Sequence, residues 1–254
     1  MDEQNNQDDP IEEQIEDEEL SFTDKMVGVL TEPSETFSSI AKHNLKSIDW
    51  VIPILIASII ALVGFKFMMN NGAISMSFDE KASVKIEEQI QKQIDSGKMT
   101  QEQADIGKEM GLKWAKIGNY IAKFIMPWIL LFVSALIYWL VSKFGFKDAA
   151  TYKGTLVALG LSSYILIIQI IVTIILAYAL GKFLNTPNLG EILGMDITKF
   201  PGILLSFVDV FMIWYTIVIS IGMAKIFHSA STTKYYFLTF GLWIGLSLFF
   251  FAIS

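Results

Sequence analysis

Five nearly uncharged apolar runs, at 50–69, 121–141, 155–180, 203–224 and 235–253, constrain this chain more than any other feature. Each has 19 to 26 residues, against the roughly 20 that a helix needs to cross about 30 Å of hydrocarbon. In lipid every backbone N–H and C=O must be paired within the protein, so runs of this length are helices. The alternation of a barrel strand is absent. The expected architecture is all-α: a polytopic integral membrane protein with five transmembrane helices and an extramembrane helical hairpin between the first and second. With 53% hydrophobic residues, the 254-residue chain is too apolar for a soluble globule.

The net charge of -7 is unevenly spread. Residues 1–20 hold ten acids and no base, leaving 16 acids against 19 lysines in the remainder. This acidic segment cannot bury enough apolar surface to fold, and anionic lipids repel it. It reads as a disordered tail, either a solvated spacer or a partner-binding element. It also lacks the basic start and early apolar core of a secretory signal, so the first span is expected to remain attached.

Between tail and first span, 21–47 reads as two amphipathic pre-membrane helices. Ser21 with Asp24 resembles an N-cap box, and Phe22, Met26, Val29 and Leu30 follow at helical spacing. Pro33 suits the first turn of the next helix. Phe37, Ile40, Ala41 and Leu45 share one face of it, which lies either in the membrane interface or on the bundle. Residues 70–119 form the one sizeable polar connection. Ile86, Ile90 and Ile94 stripe a charged helix, Ser96–Gly97 turns, and Thr100 with Gln103 resembles a capping box. A hairpin over 79–116 follows, with the isoleucine stripe as its seam.

Lysine bias gives the orientation. Segments 143–154 and 225–234 hold five lysines in 22 residues, whereas 181–202 holds two in the same length. The seven lysines of the hairpin are offset by eight acids. The balance favours a cytoplasmic N-terminus and an external C-terminus.

Candidate chemistry is sparse. There is no Cys and no Arg, and only two His, His43 and His228. Thiolate chemistry is thereby excluded, and the bidentate contacts favoured in nucleic-acid recognition are unavailable. No HExxH, GxSxG or P-loop pattern occurs. These absences point to a non-enzymatic protein without cofactor or metal and without a nucleic-acid partner. Asp209, in "SFVDVFMIW", is the sharpest residue, an ionisable group about 10 Å inside the fourth run by helical rise. It serves either as a relay or as a structural carboxylate held by Ser, Tyr or Lys123. Gln169 in the third run suggests an interhelical hydrogen bond, Pro127 a kink in the second, and Gly241 with Gly245 a close helix contact within or between chains.

The order of these features resembles the Yip domain family of five-helix membrane proteins, in its bacterial branch. "GVLTEPSETFSSI" precedes "WVIPILI" at the start of a span, a polar helical insert follows, and "DVFMIW" with "IGMA" marks the penultimate span. On this resemblance Pro33 and Phe37 match the pre-membrane element, Trp50 and Pro53 the start of the first span, and Asp209 and Trp214 the fourth-span motif. It implies a scaffold or adaptor in the bacterial inner membrane that organises the bilayer or recruits an unidentified protein through tail or hairpin. The aspartate-leucine-tyrosine-glycine-proline motif typical of the family's eukaryotic branch is absent, which argues against Rab-type GTPase binding. A small transporter or channel component with Asp209 as coupling residue is the alternative, and the oligomeric state is left open.

Overall fold

The computed structural model describes residues 18–197 and 199–253, with side chains through Phe249. Most of the acidic tail lies outside the described residues. Every regular element among them is helical. Two short helices, α1 (Phe22–Thr31) and α2 (Pro33–Ala41), precede α3 (Ile48–Asn70), α4 (Gly72–Asp95) and α5 (Gln101–Leu140). A π-helical turn (Val141–Gly145) ends α5, and α6 (Tyr152–Leu180), α7 (Leu189–Ile192), α8 (Gly202–Ser206), α9 (Val210–Ile226) and α10 (Thr233–Ile253) complete the chain. Ile48–Asn70, Gln101–Gly145 and Tyr152–Leu180 are each long and apolar enough to cross a membrane.

The directions follow from paired contacts. Gly160 of α6 lies against the Trp50 backbone, and a Cβ added there would sit 2.3 Å from Trp50 Cα; Gly64 of α3 makes room for the Ile174 side chain of α6. α3 and α6 therefore run parallel and touch closely, because glycine removes the side chain between them. Ring contacts from Trp50 to Phe132 and from Phe65 to Tyr120 set α5 antiparallel to α3. α9 runs back along α6, with Ile226 and Phe227 beside Gly154. α10 reverses again, its Thr239 hydroxyl 2.7 Å from Ser220 Oγ of α9.

The first half of α5 continues past the bundle. At ~1.5 Å per residue its 40 residues make a rod of about 60 Å. α4 lies antiparallel along that half, joined to it by the Lys116–Asp79 ion pair at 2.8 Å and by Lys108–Glu87. Ile86 and Ile90 seat on Gly111 and Gly107, so two members of the isoleucine stripe form this seam. The tip carries Gly97 at φ +70° and the Thr100–Gln103 capping box. α5 passes unbroken through Pro127.

α1 and α2 belong to the core. Ser21 caps α1, accepting from Asp24 N at 3.2 Å. Val29, Phe37 and Ile40 are buried with residues of α5, α6 and α9. Phe37 is wholly buried, its ring filling the space a side chain at Gly222 would need. Of the two placements open to this amphipathic face, the chain adopts the bundle. A second cluster at the opposite end stacks Phe65, Phe78 and Phe183 edge to face.

Asp148, between α5 and α6, clamps the first turn of α10. It accepts from Lys234 Nζ at 2.8 Å and Tyr235 Oη at 2.5 Å. Burial alone would push its carboxyl up, but the bonds from Lys234 and Tyr235 outweigh it and hold the group below the usual carboxylate range. A carboxyl depressed in this way adds stability above its unfolded value of 3.8 and loses it as pH falls through the folded value. Asp148→Asn is therefore expected to melt earlier than the parent at neutral pH in mild detergent, with the gap closing as pH falls below about 4. Phe37→Ala is expected to cost about 3 kcal/mol and to open residues 22–45 to protease, read by thermal unfolding and limited proteolysis.

Candidate functional site

The fourth apolar run does not fold as one helix. α8 ends at Ser206, Phe207 and Val208 are non-helical, and α9 starts at Val210 with Asp209 as its N-cap. This corrects the expectation of one continuous helix over 203–224 with Asp209 about seven residues into it. The apolar helix that remains, Val210–Ile226, has 17 residues. The physical reason is local: an aspartate bonds the orphan amides of a helix start better than it tolerates a helix interior. Asp209 Oδ1 accepts from Phe211 N at 3.0 Å and Met212 N at 3.2 Å.

The other carboxylate oxygen reaches across to α6. Gln169 Nε2 donates to Asp209 Oδ2 at 2.7 Å, and both residues are buried. Gln169 sits eleven residues before the end of α6, so the pair lies ~16 Å inside that end, near the middle of a bilayer-sized bundle. A helix N-terminus at that depth has no water to bond its amides, and Asp209 supplies the acceptor. Lys123, one anticipated partner, instead donates to Asn185 Oδ1 at 2.8 Å. The residues before α8 fold back on the far end of the bundle. Glu191 accepts from Asn185 N at 2.8 Å and lies 3.5 Å from Lys81 Nζ, and Leu189 N donates to Val208 O.

A second polar cluster joins the amino-terminal helices to α3. Lys25 Nζ lies 3.2 Å from Asp49 Oδ1, and both side chains are at most 6% exposed. Glu19 closes it, 3.2 Å from Lys25 and 2.7 Å from Lys46. Hydrogen bonds from Lys46 and then Lys25 lower the Glu19 carboxyl, and the same contact raises the Lys46 ammonium. The end of the acidic segment is thus fastened to the body. Sequence reasoning missed this cluster, although Lys25 falls on the apolar face between Phe22 and Val29, and Asp49 is the acid that opens the first span.

The other singled-out residues are dispersed. Pro33 occupies the first turn of α2. Trp50 lies over Gly160 and against Phe132. Pro53 is buried within α3, and Trp214 is half-buried against the main core. Trp214 and Asp209 form no common site. Gly241 and Gly245 have nothing within 4 Å of an added Cβ among the described residues, so they mediate no close contact with another described helix of the chain. Among the described residues no group of three His, Asp or Glu is placed to hold a metal.

A family model for the Yip1 domain matches residues 27–254, nearly the whole chain. The protein belongs to the Yip1 domain family and is a multi-pass membrane protein. No curated protein and no solved structure matches it.

Asp209→Ala removes the cap and strands two part-buried amides and the buried Gln169. It is expected to cost about 2 kcal/mol or more. Asp209→Asn keeps a side-chain oxygen for the amides and is expected to cost less than about 1 kcal/mol, since Asn caps helices as well as Asp does. Thermal unfolding of both variants in mild detergent checks the ordering; equal losses would contradict the cap assignment.

Proposed function

We propose that this protein is a non-enzymatic scaffold of the bacterial inner membrane that recruits a protein partner. It crosses the bilayer five times, with a cytoplasmic N-terminus and an external C-terminus. α8 and α9 together make the fourth crossing, and α10 the fifth. The pair α4–α5 stands outside the bilayer as a helical hairpin. The observation that carries this reading is the free face of that hairpin. Ile106, Met110 and Trp114 stand 61%, 54% and 63% exposed at four-residue spacing on one side of α5, away from the seam with α4. An exposed apolar stripe beyond the bundle suits a helix-in-groove partner. Family membership supports a membrane-organising role, and the bonding of Asp209 supports a structural one.

The transporter reading draws on one observation, the broken fourth crossing near mid-bundle, a feature of many transporters. Against it, the carboxylate at the break is occupied by its own helix and Gln169. Liposome flux abolished in Asp209→Asn with folding retained would favour transport.

Partner recruitment is tested by co-purifying the full chain and its Trp114→Ser/Met110→Ser variant in mild detergent. The expected outcome is a defined protein held by the parent, with about tenfold less on the variant, as loss of a central aromatic anchor costs at least 1–2 kcal/mol. Equal recovery on both would overturn the assignment of the docking face.

A further inference from the structure

The close contact of α3 and α6 leaves a groove of about 430 Å³ on the side of the bundle. Ile59, Val63 and Phe67 of α3 form one wall, and Ile174 and Tyr178 of α6 the other. Its lining is almost wholly apolar. Gly64 pinches the floor, since Ile174 Cδ1 would lie 2.2 Å from a Cβ there. Ile59, Val63, Phe67 and Tyr178 are each 44–58% exposed, so the groove opens sideways, toward the acyl chains surrounding α3 and α6.

One end is polar. Tyr178 Oη donates to the Phe67 carbonyl at 2.8 Å and closes the groove close to the ends of α3 and α6, where headgroups lie. Lys66 stands there. It follows Ile59 by seven residues and Val63 by three, which places it on the outer lip of the α3 wall. Lys81, Lys116, Lys123 and Lys182 at the same end are each bonded to the protein. Lys66 is exposed and makes no ion pair among the described residues. A lysine four residues from the end of a span lifts its ammonium to the phosphate level.

We propose that this groove seats one acyl chain of an anionic glycerophospholipid, with the headgroup phosphate paired to Lys66. Apolar walls without polar partners exclude a polar ligand, and a cation at the headgroup end selects charge. The inference stands on the membrane placement of α3 and α6, independently of the scaffold role.

The test is native mass spectrometry of the full chain in mild detergent, titrated with phosphatidylglycerol or phosphatidylcholine of matched chains. The parent is expected to retain one phosphatidylglycerol with a preference over phosphatidylcholine. Lys66→Gln is expected to lower that preference about fivefold, the worth of one lysine at an anionic surface, while leaving phosphatidylcholine occupancy unchanged. Val63→Trp and Ile59→Trp each fill the groove from an exposed position and are expected to lose both lipids with helicity intact. An unchanged preference in Lys66→Gln, or full retention in both tryptophan variants, would overturn the site. Competition by inorganic phosphate alone would also overturn it, reducing it to a bare anion contact at Lys66.

Discussion

A helix that begins in the interior of a membrane protein must find acceptors for its first amides, and here Asp209 provides them. The start of α9 depends on this. Without the cap, the free N–H groups of α9 would face lipid-like surroundings, where each unsatisfied group costs several kcal/mol. The second oxygen of the same carboxylate takes the amide of Gln169 and so fixes the height of α9 on α6. That height brings Gly222 beneath Phe37 and Ile226 beside Gly154. One side chain thereby sets where the helix starts and, through its register, which surfaces meet at the amino-terminal end.

α6 is the post around which the other helices gather. From Gly154 to Ile165 every residue is buried, because α1, α3, α5 and α9 cover it on all sides. Small residues make this possible, with Gly160, Ser162 and Ser163 in succession through the closest contacts. The serine hydroxyls return to carbonyls four residues earlier, so they add no unsatisfied polar group. The Lys25–Asp49 pair belongs to the same arrangement. Replacing either partner alone strands a buried charge, so the pair holds α1 in one place more than it adds stability. Rigid packing at this end contrasts with the far end, where α5 outruns the bundle and leaves its apolar face open.

Much of this was legible in the sequence, for physical reasons that also explain the failures. Apolar runs near 20 residues gave the sites of α3, α6 and α10 because hydrocarbon thickness fixes helix length. Ser21, Thr100 and Gly97 were readable because caps and turns need those side chains. The fourth run misled because its hydropathy is continuous while its backbone is not. Phe207 and Val208 are apolar whether helical or extended, and Asp209 alone marks the break. Gln169 and Asp209 each stand out alone in the sequence; a separation of forty positions hides their contact. Lys25 and Asp49 lie 24 positions apart in the sequence, and only packing joins them. Gly241 and Gly245 match a packing motif for contact within or between chains, and no described residue of the same chain lies within 4 Å of an added Cβ there.

Under the proposed topology α4–α5 and the amino-terminal clasp lie on opposite sides of the bilayer, because α3 is the span between them. The absence of cysteine makes this directly measurable. Single substitutions Ser96→Cys, at the exposed hairpin tip, and Ala149→Cys, treated in intact cells with a membrane-impermeant thiol reagent, report the side on which each position lies. The expected result is labelling at position 96 from outside and at 149 only after permeabilisation. Labelling of both from the same side would contradict this topology.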